Sequence, residues 1–196
     1  MQAGTQTVVS SLQPREQILR QASKVLLGTA ALTASSWLSI PTQPVPITMQ
    51  TNAVKVVGAL LGPRLGTLTV IVWLAEAVIG LPVLAQGSAG ILPFLGPTAG
   101  YLASFPVVAA LVGWLAQRGY TRKGWLTAFS VMLSGNAINL TMGAIWLAAI
   151  LGWHRAFSLG VTPFLTGALV KALLATATVT LIQRNRHTNA PPTDAQ

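Results

Sequence analysis

From Trp125 to Leu151 the chain reads WLTAFSVMLSGNAINLTMGAIWLAAIL, without one ionisable side chain. A helix needs about 20 predominantly apolar residues to cross the hydrocarbon core of a bilayer, and this stretch is long enough. Outward from it the same pattern recurs: no charge lies between Lys24 and Lys55, or between Glu76 and Arg118. Hydrophobic residues make up 52% of the 196, charged residues only 8%, where a soluble domain carries about 25%. So few charges cannot cover a water-facing surface. The composition specifies a multi-pass protein of the cell membrane.

The same scarcity excludes several kinds of chemistry. There is no cysteine, the only carboxylates are Glu16, Glu76 and Asp194, and the only imidazoles are His154 and His187. Thiolate metal sites and disulfides are ruled out, and neither a metal cage nor a paired-carboxylate active site is expected. No cofactor is implied, and the chain does not read as an enzyme. Its net charge of +9 is not read as nucleic-acid binding, because Lys and Arg accumulate in cytoplasmic loops of membrane proteins, where they meet anionic lipid. No G-x-x-x-x-G-K-[ST] phosphate loop occurs, so the chain does not read as an ATPase.

Prolines and glycines divide the apolar sequence into six expected helices: 24–40, 50–61, 65–80, 100–117, 125–151 and 166–182. Pro41, Pro44 and Pro46 keep the first connection non-helical, and Gly62–Pro63 stops the second helix. An even number of crossings puts both termini on one side. The basic residues agree: Arg15, Arg20, Lys24, Arg64, Arg118, Arg122, Lys123, Arg184 and Arg186 fall at one set of ends, and only Arg155 at the other. That asymmetry makes both termini cytoplasmic. The expected organisation is an N-terminal segment (1–23) without signal-peptide features, an all-α transmembrane bundle (24–183) and an irregular cytoplasmic tail (184–196).

Three segments carry a resemblance. They are Ile40-Pro41 with Pro44-Val-Pro-Ile-Thr-Met-Gln-Thr51, then Gly96-Pro-Thr-Ala-Gly-Tyr-Leu102, then Pro163-Phe-Leu-Thr-Gly-Ala-Leu-Val-Lys-Ala172. In this order and spacing they resemble the BioY family, the biotin-specific S components of energy-coupling-factor (ECF) transporters. The resemblance extends from about Val25 to Ile182. It implies a six-helix S-component bundle that captures biotin noncovalently near its outer face. It also implies partners: a transmembrane coupling (T) component and two cytoplasmic ATPases. Ala99 and Ser104 stand where Gly is usual in the family. Ala168 stands where its last motif usually has a carboxylate, and Lys55 and Asn52 replace usually apolar residues.

Lys171 is the leading site residue. A charge at the centre of a membrane helix costs roughly 2.5 to 3.5 kcal/mol, so it calls for a partner or a pathway. The resemblance implies that its ammonium pairs with the biotin carboxylate; the plainer reading is a lysine that snorkels to the headgroups. Thr98, Gly100 and Tyr101 lie where an irregular segment enters a helix, a place where backbone N–H groups meet polar ligand atoms or where Thr98 simply caps the helix. Gln86, Gly87 and Gly90 read either as a flap over the pocket or as a plain surface loop. Asn136, preferred to Asn139, offers an amide for the ureido group or for interhelical bonding. Gln50 and Thr51 are further candidates of the same kind.

Lys55 and Glu76 are expected at similar depths on consecutive helices, either paired or facing one polar cavity, where Glu76 would neutralise Lys171 in the empty state. Ala30 and Ala34, four apart on the first helix, suit close approach by another helix. The resemblance assigns that helix to the coupling component; the alternative is packing within the chain. Rival functions are an S component for another small vitamin and a stand-alone channel or structural membrane protein.

Overall fold

In a computed structural model, the described residues run from Ala3 to Thr188, with side chains described between Arg15 and Asn185. The architecture is helical. The long helices are α1 (Ala3–Trp37), α2 (Gln50–Val78), α4 (Ala99–Gln117), α5 (Trp125–Leu151) and α7 (Thr162–Thr188), with short helices α3 (Leu92–Leu95) and α6 (Trp153–Ala156) in the connections. Four of them, α2, α4, α5 and α7, contain stretches long and apolar enough to cross a membrane. Leu, Ile, Val, Phe and Trp side chains cover much of the outer surface, which suits a lipid-facing exterior.

Helix α2 is a hairpin of two limbs. Gly62 at its middle has φ +81° and ψ 175°, a conformation with positive φ that glycine adopts at little cost. Pro63 follows at the first position of the second limb, where its missing N–H is harmless. Gly58 and Gly66, four residues either side of Gly62, touch: a Cβ on Gly66 would lie 2.9 Å from the Gly58 Cα. The expected limbs 50–61 and 65–80 are thus both present, and α4 packs into the elbow, where a Cβ on Gly113 would meet Gly62 and Pro63 at 2.7 Å. Around this hairpin α2 packs on α1, α4 and α7, α4 on α5, and α5 on α7. The main core is shared by Leu32, Val54, Trp73, Phe105, Val108, Met132 and Val179.

Several boundaries differ from the sequence expectation. Helix α1 begins by Ala3 and ends at Trp37, not 24 to 40. Its Thr29, Thr33, Ser35 and Ser36 hydroxyls bond back to carbonyls three or four residues earlier, so they sit in the helix without competing for its N–H groups. The chain beyond it forms a short antiparallel ladder, β1 (Ser39–Ile40) with β2 (Ile47–Thr48), pairing Ser39 with Thr48 and Ile40 with Ile47. The proline segment is therefore a pinned hairpin loop. A single π-helical turn, Phe157–Val161, joins α6 to α7, and α7 starts four residues before the expected helix and continues to Thr188. The tail expected to be irregular is helical at its start, and residues 189–196 lie outside the described residues, as do Met1 and Gln2.

Candidate functional site

A cavity of about 300 Å³ opens between the N-terminal parts of α2, α4 and α7 and the middle of α5, beneath the proline loop and the connection that follows α2. That volume is at the small end of ligand pockets. Its apolar walls are Tyr101, Leu102 and Phe105 from α4, Leu140 from α5 and Phe164 from α7. The Tyr101 and Phe164 rings stack with centroids 6.1 Å apart. Tyr101 donates its O–H to the Gly160 carbonyl at 2.8 Å, within the π-helical turn. Its ring lies against Gly143, where any Cβ would collide with it.

Among its polar groups are two amides from α5 and an ammonium from α7. Asn136 and Asn139 are three apart, so they share a helix face, and both line the cavity. Asn139 Nδ2 donates to the Tyr101 carbonyl at 3.2 Å and to Ser104 Oγ at 2.6 Å. Both its donors are used, and among the described residues no donor bonds its Oδ1. Asn136 Nδ2 donates to the Ala168 carbonyl at 2.7 Å, and its Oδ1 accepts from Lys55 Nζ at 2.8 Å. Lys171, one turn beyond Ala168, is half-buried and lines the cavity. Among the described residues it has no ion-pair or hydrogen-bond partner, and no Asp or Glu lines the cavity. An ammonium in low dielectric with no protein anion favours an anionic ligand.

Of the residues expected from sequence, Lys171, Asn136, Thr98, Tyr101, Gln86, Gln50 and Thr51 all reach this cavity. Besides Asn136 and Tyr101, two of them have polar atoms already committed. Gln50 accepts from Thr48 Oγ1 at 3.0 Å and donates to Ser36 Oγ at 3.1 Å, tying α2 to α1 and β2. Thr98 stands at the N-cap of α4 but makes no side-chain cap bond; its hydroxyl donates to the Pro93 carbonyl at 2.8 Å instead.

Four expected residues do not line the cavity. Gly100 faces α5, where a Cβ would collide with Trp146 and with the Met142 carbonyl; its role is close helix packing. Gly87 and Gly90 hold positive φ angles of 71° and 76° in the connection after α2, and the Gly90 N–H bonds the Ala77 carbonyl at 2.7 Å. They shape the loop, whose Gln86 and Ser88 reach the cavity while Val83 and Leu84 anchor it in the core. Glu76 neither pairs with Lys55 nor faces the cavity, which corrects the expectation for that pair. The buried stripe of the second limb is Gly66, Thr69, Val70, Trp73 and Ala77, and Glu76 is turned about 100° from Ala77 by the 3.6-residue helical repeat.

Asn139, Phe105 and Phe164 also line the site. The i,i+3 spacing to Asn136 marks Asn139 in the sequence, and Phe164 falls within the Pro163–Ala172 motif, whereas nothing distinguishes Phe105 from a lipid-facing residue. Ala30 and Ala34 lie exposed on α1, while Thr29, Leu32 and Ser36 turn inward.

Comparison with known proteins gives the arrangement its relatives. The chain is 36% identical over 166 residues to the probable biotin transporter BioY of Pyrococcus horikoshii, covering 85% of this chain and 98% of that one. It is also 36% identical to biotin transporter BioY2 of Lactococcus lactis subsp. cremoris, over 84% and 91% of the two chains. Its fold matches the crystal structure of the S-component for biotin from an ECF-type ABC transporter, with a TM-score of 0.77 and 31% identity, covering 86% and 93%. The family model of BioY matches residues 5–188, nearly the whole sequence from which the cavity and its helices are built, and the chain belongs to the BioY family.

Proposed function

We propose that this protein captures biotin in the cavity between α4, α5 and α7 and carries it across the membrane as the S component of an ATP-driven ECF transporter. The observation that carries this reading is Lys171, an ammonium with no anion beside it among the described residues, at an aromatic-walled cavity of about 300 Å³, in a chain of the BioY family. Biotin matches that chemistry. Its fused ring and aliphatic tail suit Tyr101, Phe105 and Phe164, and its carboxylate suits Lys171. Apolar burial supplies much of the affinity, and the few polar groups fix orientation. Gln86, Gln50, Thr51 and Thr98 border the ligand, with the connection after α2 as its cover.

In this reading α1, the two limbs of α2, α4, α5 and α7 make six crossings, with both termini cytoplasmic. The excess of Lys and Arg at one set of ends supports that orientation. The energy comes from partners, a T component and two ATPases. The T component approaches the outward face of α1 at Ala30 and Ala34, whose small side chains favour close helix contact.

Transport is tested by labelled biotin uptake into cells lacking their own uptake system. Uptake is expected with the T component and ATPases present, and to fall when the ATPases are inactivated. Uptake of thiamine or riboflavin in place of biotin would reassign the substrate.

A further inference from the structure

Lys55 is fully buried, with 0% of its surface exposed, and it does not line the cavity. Its stem passes over Gly135, where a Cβ would lie only 3.1 Å from the Lys55 Cγ and Cδ. Its ammonium ends on Asn136 Oδ1 at 2.8 Å. Burying a cation this way is costly, and a lysine that served only packing could be an apolar residue. The amide it holds lines the cavity.

A carboxamide can present either its acceptor or its donors to a ligand, and the partners on its other edge decide which. At Asn136 the oxygen is occupied by Lys55 and one N–H by the Ala168 carbonyl. One N–H remains uncommitted. Three residues on, Asn139 is held the opposite way, with both N–H groups spent on Tyr101 and Ser104 and its oxygen free. The α5 face therefore presents a donor at Asn136 and an acceptor at Asn139.

We infer that Lys55 is a positioning residue: from behind the cavity wall it locks the Asn136 amide so that an N–H points at an acceptor oxygen of the ligand. This rests on the biotin reading. Biotin offers two such oxygens, the carboxylate and the urea carbonyl, and each can be altered chemically. Biotinamide replaces the charged carboxylate with a neutral amide whose carbonyl is a weaker acceptor; 2-iminobiotin replaces the urea oxygen with a nitrogen that donates when protonated.

The test is the binding of biotin, biotinamide and 2-iminobiotin to the purified full-length protein and to Lys55→Met and Asn136→Asp. In Lys55→Met the amide is held only through its bond to the Ala168 carbonyl, so its orientation is less firmly fixed. The preference for biotin over one analogue, the one altered at the oxygen that meets Asn136, is expected to fall about tenfold, the scale of one well-made hydrogen bond. The preference over the other analogue stays as in the wild type, which identifies the oxygen. Asn136→Asp keeps a partner for Lys55 but has no N–H, and the same preference is expected to fall at least as far. If Lys55→Met does not fold, this second variant tests the N–H that Lys55 holds, since wild-type preferences there leave Lys55 nothing to position. Wild-type preferences in a folded Lys55→Met, or in Asn136→Asp, overturn the role of Lys55. A wild-type protein that binds none of the three compounds overturns the biotin reading itself, and this inference with it.

Discussion

Asn136 joins two helices that are remote in sequence: its amide accepts from Lys55 of α2 at 2.8 Å and donates to the Ala168 carbonyl of α7 at 2.7 Å. One side chain thereby ties the α2 hairpin to the helix that carries Lys171. Ala168 is also where the BioY pattern usually has a carboxylate, and here the position supplies only its backbone oxygen to the network. Two amides and the Lys171 ammonium line this part of the cavity, with the Lys55 ammonium behind Asn136.

Substituting Asn136 with Leu removes both bonds and leaves the buried ammonium of Lys55 unpaired. Breaking a buried charged contact costs about 3 to 5 kcal/mol. The variant is expected to melt well below the wild type in detergent. Combining it with Lys55→Met should restore much of the loss, since the stranded charge is then gone; thermal melting of the two variants checks this.

Tyr101→Phe deletes the hydroxyl that bonds the Gly160 carbonyl and leaves that oxygen without its partner. The expected cost is about 1 to 3 kcal/mol of stability. The stack on Phe164 remains, so the binding loss should be smaller than for a lost ring. Melting temperature and calorimetric affinity, measured together, separate the two effects.

Gly143→Ala puts a methyl group where the Tyr101 ring lies. Overpacking of this kind costs about 1 to 3 kcal/mol, and relief is available only by moving the ring into the cavity. Biotin affinity is expected to fall with it. Gly100→Ala, which collides with Trp146 and a backbone carbonyl instead, should lower stability first.

Ala30→Trp and Ala34→Trp alter a face of α1 that no other part of the described chain covers. Both variants are expected to bind biotin like the wild type and to lose co-purification with the T component. Loss of binding in either would place this face in the chain's own packing.

The helix breaks are legible in the sequence because they are local. Gly62–Pro63 is a turn wherever it occurs, and the apolar run from Trp125 to Leu151 matches α5 residue for residue. Lys171 and Tyr101 are legible through the motifs that contain them. The partner of Lys55 is not. Depth along two helices suggests Glu76, but azimuth decides contact: Glu76 is off the buried stripe of its limb, and Gly135 opens a path for the lysine stem toward α5 instead. The β1–β2 ladder and the π-helical turn are equally hidden, because both depend on which backbone groups meet across tertiary contacts.

The most direct test of the biotin site is a calorimetric comparison of biotin and biotinamide on the wild type and on Lys171→Ala. A charge-assisted contact is worth about 1.5 to 3 kcal/mol, so removing either the ligand carboxylate or the ammonium should weaken binding by about 10- to 100-fold. Removing both should cost little more than removing one. Lys171→Ala binding biotin as tightly as the wild type, or biotinamide losing as much affinity on the variant as on the wild type, would contradict the proposed pairing.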